Sequence, residues 1–430
     1  MHIWLVTVGE PLPTDEGNER LLRAGILADM LSETGHRVVW WTSAFNHSLK
    51  ISRATTNRHE RIRSNYEIRM LYGGGYRRNI SLQRLIDHRN LAREFQRESR
   101  DVEPPDVIVC SFPPIELSAE AIAYGVRNNV PVVLDVRDLW PDIFLDGVPR
   151  WTRPAGSLAI AALTRKVRRA FRGATAIWGH APAFTEWGLN HAGRPATELD
   201  GVFPFGYVAA MPTARELEDA RAFWSSAGIV GGAGQFIACF VGTVGFQTDI
   251  EGLIKTARLL GPEAGIKIVV CGTGDRLVEL REAATGVDSI LFAGWRRRSE
   301  IWTLLRMASI GIAPYVERAD FLSTIPNKVP EYLSAGLPIG VNLGHGRIAD
   351  LLAENRCGFS YQCDPDLLAK QLVELRDTPE RLALLRQRAS ALFDREFRAE
   401  HVYGRMIDQL ASIVTTHRQQ SLEPRQITGV

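Results

Sequence analysis

At 430 residues the chain is too long for one ordinary core, and a soft prior of about 150 residues per domain suggests two or three domains. An apolar fraction of 45%, a charged fraction of 23% and a net charge of +2 are those of an ordinary soluble globular protein and give no footprint for a nucleic-acid partner. The five cysteines are scattered and form no CxxC pair, which argues against a disulfide frame or a zinc site and fits a reducing cytoplasm. No apolar stretch reaches about 18 residues, so no membrane-spanning helix is predicted.

The opening run MHIWLVTVG lacks the charged leader and length of a signal peptide and reads as a first buried strand. Further strands are predicted at 37–42, 67–71, 106–110, 131–135 and 174–178, with helices between them at 18–34 and 115–128. The first of these helices would set Leu21, Leu22, Ile26, Leu27, Met30 and Leu31 on one face. Apolar strands alternating with helices imply right-handed crossovers onto a parallel sheet. Residues 204–234 contain Pro204, Pro212 and a Gly-Gly-Ala-Gly cluster, which suits an interdomain connection followed by a flexible loop.

The same grammar then restarts. Strands are predicted at 236–241, 266–271, 289–292, 309–313 and 338–341, and helices at 249–260, 275–284, 299–307, 329–335, 346–353 and 365–375. A last helix at 404–415 precedes a loose polar tail at 418–430. The expected fold is α/β, two Rossmann-like doubly wound parallel-sheet domains in tandem: 1–208 with the crossing helix 404–415, and 212–403. Open sheets of this kind bind ligands beyond the carboxyl ends of their strands, so two such domains would face a central cleft.

The most specific segment is 314–338, PYVERADFLSTIPNKVPEYLSAGLP. It leaves a strand, crosses a polar loop and enters a helix, with Ser323 and Thr324 as caps and Pro326 in the first turn. Pro330 restricts the start of the regular helix to 329 or 330. The loop Ser323, Thr324, Ile325, Pro326, Asn327 and Lys328 would offer backbone N–H groups and one full positive charge to an anion, and Glu331 could accept from a ribose diol. A capped helix with a solvated Lys and Glu would read the same way.

The S-x-x-P-N-K-x-x-E-Y-L-S-A-G-L-P string resembles the retaining GT-B glycosyltransferases of family GT4, especially bacterial polysaccharide enzymes of the WbuB type, and the resemblance extends over nearly the whole chain. It implies that Glu331 matches the second glutamate of the family's Glu-x7-Glu pair, the ribose ligand. The first glutamate falls on Ser323, so that carboxylate is absent. Residues 240–254 resemble the first strand-loop-helix of the family's donor domain, with Gly242 allowing close approach to a phosphate. Many relatives carry an Arg and a Lys where this chain has Thr243 and Thr248; Lys328, Arg318 or Arg296 would supply that charge. The Cys271-Gly-Thr-Gly turn (Gly272, Gly274) and Trp295-Arg296 would lie near the donor's sugar and base, although a tight strand-to-helix turn accounts for the two glycines equally well.

In the first domain, residues 9–20 hold the place of the family's glycine-rich acceptor and diphosphate loop, retaining Gly17 beside Asn18, Glu19 and Arg20; a polar turn with Asn18 as a helix cap is the alternative. Within VVLDVRDLWPD, the RDLWP string resembles that of relatives at the place where others have an active-site histidine. It makes Asp138 and Arg137 the catalytic candidates, Asp138 to hold an acceptor hydroxyl or orient the sugar and Arg137 to offset diphosphate charge, with Asp142 beside them. An Arg–Asp pair fixing the turn is the simpler reading. His180 would line the cleft or serve a structural role.

Residues 150–172 contain seven Arg or Lys and no acid, and from Ile160 onward Leu163, Val167 and Phe171 oppose Arg165, Arg168, Arg169 and Arg172. A helix at 157–172 could rest on an anionic membrane or simply cover the domain with a solvated basic face. The implied activity is retaining transfer of a sugar from a nucleoside diphosphate sugar, most often UDP-linked, to a glycan or polyprenyl-diphosphate-linked acceptor in surface polysaccharide biosynthesis such as that of lipopolysaccharide. It would proceed without a bound metal or other cofactor, in the cytoplasm or at the inner face of the cell membrane. A non-catalytic nucleotide-sugar-binding protein and a GT-B-like sugar-nucleotide epimerase are the alternatives.

Overall fold

The computed structural model describes residues 1–16, 20–79, 81–145, 153–209, 211–232 and 234–422. The chain divides into two compact units: Met1–Pro204 together with Val402–Val430, and Phe205–His401.

Unit 1 runs β1 (His2–Val6), α1 (Arg23–Glu33), β2 (Arg37–Ser43), β3 (Phe45–Asn46), β4 (Ile51–Ser52), β5 (Arg58–Arg63), β6 (Tyr66–Leu71), α2 (Leu82–Glu98), β7 (Val107–Phe112), α3 (Ile115–Asn128), β8 (Val132–Val136), α4 (Arg153–Arg172), β9 (Ala176–Gly179), α5 (Pro182–Ala192) and β10 (Gly201–Val202). Among the described residues its main sheet has eight strands in the order β10-β9-β8-β7-β1-β2-β6-β5, all parallel except the β5–β6 pair. The order reverses direction between β1 and β7, which makes their carboxyl ends the switch point where a doubly wound sheet opens to a ligand. One face of the sheet carries an aromatic core in which Trp4, Trp41 and Phe95 meet edge-to-face at 5.1–6.1 Å.

Unit 2 runs α6 (Ala214–Ser226), β11 (Phe236–Val241), α7 (Ile250–Leu260), β12 (Ile266–Cys271), α8 (Leu277–Ala283), β13 (Ile290–Gly294), α9 (Arg298–Met307), β14 (Ile310–Ala313), α10 (Ala319–Ser323), α11 (Lys328–Ser334), β15 (Ile339–Val341), α12 (Arg347–Asn355), β16 (Gly358–Ser360), α13 (Pro365–Asp377) and α14 (Pro379–Leu392). Its parallel sheet is ordered β13-β12-β11-β14-β15-β16, with the switch point between β11 and β14. Both predicted sheets are therefore present, and the fold class is two doubly wound α/β units.

Four expectations need correction. The helix predicted at 18–34 begins at Arg23: Leu22 is extended, and the first turn is organised by Glu10, whose carboxylate accepts from the Ala24 N–H at 2.9 Å in place of a local cap. The connection at 204–234 contains α6, started by a capping box in which Thr213 and Glu216 bond each other's backbone N–H. Trp224 on that helix is buried and donates to the Glu300 carbonyl, so the segment is part of unit 2's body.

The predicted helix 404–415 is the middle of α15 (Ala399–Leu422), and the supposed tail is helical to 422. Here Arg418 pairs with Asp106 and His417 donates to the Asn129 carbonyl. Residues 423–430 lie outside the described residues. Finally, Ser323 and Thr324 do not cap the helix that follows them, which begins at Lys328 after Asn327; Ser323 ends α10 instead. Nor does Pro330 delay the helix to 329 or 330 as expected, because at the third helical position no intrahelical N–H bond is due; Pro326 precedes the cap instead of lying in the first turn.

Candidate functional site

In unit 2 the predicted donor residues gather at the switch point. Loops leaving β11 and β14 are laced together by backbone: Asp249 donates to the Pro314 carbonyl at 2.7 Å, Val316 donates to the Gln247 carbonyl, and Thr248 bridges Tyr315. Helix α11 is set against them by Tyr332, whose hydroxyl accepts from the Val241 N–H at 2.8 Å and lies in range of the Ile312 carbonyl. This places Lys328 and Glu331 beside the ends of both central strands. Lys328 Nζ donates to Glu331 Oε2 at 2.7 Å, and the Tyr207 hydroxyl donates to Oε1 at 3.4 Å. Glu331 is 6% exposed, so its carboxylate bonds a cation and a phenol away from bulk water.

The glycine turns have a packing role. A Cβ on Gly272 would lie 1.7 Å from the Gly242 carbonyl oxygen, and one on Gly274 2.2 Å from the Val244 carbonyl oxygen. Gly242 N–H bonds the Cys271 carbonyl and Val244 N–H the Thr273 carbonyl, so the two turns lie backbone against backbone. The tight-turn explanation of the GxG is thus sufficient for Gly272 and Gly274.

Thr243 is exposed at the rim, and Thr248 is buried, its hydroxyl donating to the Thr243 and Gly245 carbonyls. Thr248 therefore builds the loop and does not replace a phosphate-facing cation. Ile325 is part of the hydrophobic core. Ser323, Thr324 and Pro326 are half-buried and Asn327 is exposed along the strand-to-helix loop. Trp295 is 64% exposed, while Arg296 lies over the Phe223 ring at 4.4 Å and 3.7 Å from Glu300.

Unit 1 has a pocket at its own switch point. Its floor and walls come from Val8 and Gly9 after β1, Ser43, Phe45 and His47 after β2, Pro113 and Pro114 after β7, and Arg137 and Asp138 after β8. The remaining wall is Tyr76 with Arg84, Asp87 and His88 of α2. Asp138 is half-buried there, one oxygen accepting from the Leu139 N–H at 2.8 Å.

Arg137 is differently committed. It pairs with Glu10 and donates to Asp135 at 3.0 Å, while Asp135 also takes a bidentate Arg23 at 2.9 Å. Burial alone would raise the Asp135 carboxyl, but Arg23 and Arg137 more than reverse this and hold it below the usual range. Two arginines and two carboxylates balance, so the partners of Arg137 support a structural tie rather than the offsetting of a diphosphate. The arginine–aspartate pair does fix this turn, with Asp135 as the partner.

Asp142 faces α5: Trp187 donates to it at 2.8 Å and His191 lies at 3.1 Å. His180 is buried, its Nδ1 3.4 Å from the Val136 carbonyl, and burial draws its pKa down to about 4. Neither residue is among those lining the unit 1 pocket. Gly17, Asn18 and Glu19 lie outside the described residues; Arg20, half-buried, follows them.

Sequence reasoning missed α2 and what it brings. His88 is 4% exposed; burial, with the charge of Arg84 behind it, lowers its pKa to about 3, so it is a neutral imidazole. Its Nδ1 has no hydrogen-bond partner among the described residues. His47 is also neutral, drawn to about 4 by burial and then by Lys50, and its Nδ1 meets the Tyr76 hydroxyl at 2.5 Å. The run SLQRLIDHRNLAREF carries this helix, but its inward stripe begins with Asp87 and His88, which hides the apolar period. Among the described residues no group of three or more His, Cys, Asp or Glu could hold a metal ion, and no helix is long and apolar enough to cross a membrane.

Residues 235–378 match the family model described as Glycosyl transferases group 1. No curated protein matches the chain. Solved structures resemble it along its whole length. HepE of Anabaena, solved in complex with UDP, is 13% identical at a TM-score of 0.64, over 96% of this chain and 100% of that one. Sucrose-phosphate synthase of Thermosynechococcus elongatus is 16% identical at 0.69, over 96% and 99%. WaaG, a glycosyltransferase involved in lipopolysaccharide biosynthesis, is 14% identical at 0.62, over 95% and 99%. At such identities the likeness speaks for the fold, which is GT-B. The second unit thus carries a glycosyltransferase group 1 domain, within a chain whose two units have the GT-B fold.

Proposed function

We propose that the protein is a retaining glycosyltransferase of the GT4, WbuB-like type that moves a sugar from a nucleoside diphosphate sugar, a UDP-sugar, to a hydroxyl acceptor in surface polysaccharide biosynthesis. The observation that carries this reading is the Lys328–Glu331 pair at the β11/β14 switch point of the glycosyltransferase domain. Without a ligand the two side chains neutralise each other. On donor binding Lys328 turns to the diphosphate, and Glu331, kept in place by Tyr207, accepts from the ribose diol. HepE, solved with UDP, is the neighbour whose ligand supports the choice of base.

Unit 1 holds the acceptor in its switch-point pocket, where Asp138 and the neutral His88 offer hydrogen bonds to sugar or lipid-borne hydroxyls. The acceptor oxygen bonds to the anomeric carbon as the bond to the diphosphate breaks, and the proton passes to the departing diphosphate oxygen. Lys328 stabilises the charge that develops on that group. No protein nucleophile is required. Retention, the acceptor class and the absence of a metal requirement belong to this proposal.

Thermal unfolding with UDP, GDP, ADP and dTDP tests it. UDP should raise the melting temperature of the wild type and lose that effect in Glu331→Ala. If no diphosphate shifts the wild type, the donor site is misplaced. If UDP binds but no acceptor supports turnover, the chain is a nucleotide-sugar-binding protein, the reading that Ser323 in place of a glutamate favours.

A further inference from the structure

Helix α2 is turned with its polarity reversed. Inward it places Asp87 and His88 ahead of Leu91 and Phe95, all buried. Outward, at spacings of three and four, stand Leu82 (77% exposed), Leu85 (42%) and Ile86 (56%). A solvated helix turns such a stripe to its core.

The neighbouring β3–β4 hairpin does the same: Leu49 and Ile51 flank Lys50 and are 53% and 55% exposed. Lys50 Nζ donates to Asn79 Oδ1 at 2.5 Å, and Arg84 donates to the Asn79 carbonyl at 3.0 Å. Hairpin tip and first turns of α2 therefore form one surface. Arg84 lies over Trp140 at 4.6 Å, and Trp140 packs on the exposed Phe144 at 5.0 Å, which extends the surface.

The charge of the hairpin tip and the first turns of α2 is of one sign. Lys50, Arg77, Arg78, Arg84 and Arg89 stand there, and the one carboxylate of residues 45–52 and 77–89, Asp87, is turned inward; Asp138 and Asp142 lie on the Trp140–Phe144 side. Exposed aliphatic side chains with a cationic rim are complementary to an anionic bilayer, whose headgroups meet the arginines while the aliphatic groups enter the acyl boundary. The same residues stand at the pocket: Arg84, Asp87 and His88 line it from α2.

We propose that this face of unit 1 docks on an anionic lipid bilayer and that the pocket receives its acceptor hydroxyl from a molecule anchored in that bilayer. The second clause rests on reading the pocket as the acceptor site; the docking does not. Helix α4, the basic segment singled out in the sequence, fits the role less well. Among its described residues, Val167 and Phe171 are built into the core with Leu163 packed against it, and Arg165, Lys166, Arg168, Arg169 and Arg172 are exposed.

The test is co-sedimentation of the full chain with phosphatidylcholine vesicles, with and without phosphatidylglycerol. The wild type should bind the anionic vesicles, lose binding as salt rises, and bind phosphatidylcholine alone at least tenfold more weakly. Leu82→Asp/Ile86→Asp should weaken anionic binding at least tenfold, whereas Arg165→Ala/Arg168→Ala on α4 should retain most of it. Both exposed positions should leave the melting temperature unchanged; Leu82→Ser/Ile86→Ser serves if the aspartates lower it. Wild type that stays in solution with anionic vesicles overturns the proposal, as does a double variant that sediments like wild type. So does a doubled mass in size-exclusion chromatography that the double variant halves, which would make the face a self-association surface. The UDP melting shift, read on the same variants without vesicles, fails only if the donor-site reading fails.

Discussion

The loops at the carboxyl edge of the unit 1 sheet are tied together by side chains, whereas those of unit 2 are tied by backbone. In unit 1, Arg23 of α1 reaches Asp135 at the end of β8 and the carbonyls of Phe203 and Pro204, and Arg137 joins Asp135 to Glu10. Four charged groups from distant parts of the chain thus meet, and one of them, Arg137, lines the pocket. In unit 2, the Gly242 and Gly272 turns touch through main-chain atoms, and the Thr248–Tyr315 bridge closes the next pair of loops. At this edge Lys328 and Glu331 pair with each other, and neither holds the loops together. A charge-built edge is stable only while every partner is present, because a buried ion without its partner keeps its desolvation penalty.

The sharpest way to break this comparison is Arg23→Ala. It leaves Asp135, 1% exposed, with one cation fewer, and should destabilise unit 1 by about 3–5 kcal/mol. Hydrogen exchange read peptide by peptide on the full chain should show the loss in residues of unit 1 and leave β11–β14 protected. Equal deprotection of both units would mean that the network is not a local device.

Acidification comes next. His88 and His180 are neutral in the folded state, with pKa values drawn to about 3 and about 4 by burial, against an ordinary value near 6.5. The unfolded chain therefore binds protons that the folded chain refuses between those limits. Their neutral burial is fully tolerated above about pH 6.5, and stability falls as pH drops below it. At pH 5 each should remove on the order of 2 kcal/mol relative to pH 7. Both histidines belong to unit 1, so unit 1 should open first in acid. A His88→Gln variant should flatten the dependence; an unchanged profile would remove His88 from the account.

The smallest effect belongs to unit 2. Asp249 caps α7 by accepting from the Gly252 N–H at 2.9 Å, and Asp249→Ala should lower its stability by about 1 kcal/mol without altering exchange in unit 1.

Much of this was legible before any coordinates. The apolar runs that became β1, β2, β7, β8, β11 and β12 read as strands because a parallel strand is buried on both faces, and the restart after residue 235 marked a second unit. The 323–331 loop was legible as a candidate site because its residues are contiguous. The first-unit pocket was not, since it draws on residues from Val8 to Asp138 and its α2 wall begins its buried stripe with Asp87 and His88. Nor could spacing reveal that Arg137 answers to Glu10, 127 residues away.

What the sequence by itself determined was the alternation of elements, the two-unit plan and the chemistry of one contiguous loop, because periodicity, turn residues and capping act over a few residues. Only the tertiary structure decided which charges are balanced, which glycines are demanded by neighbouring backbone and which apolar stripe faces water. Each of those depends on what a strand order brings together from far along the chain, where a desolvated charge or a missing Cβ is felt.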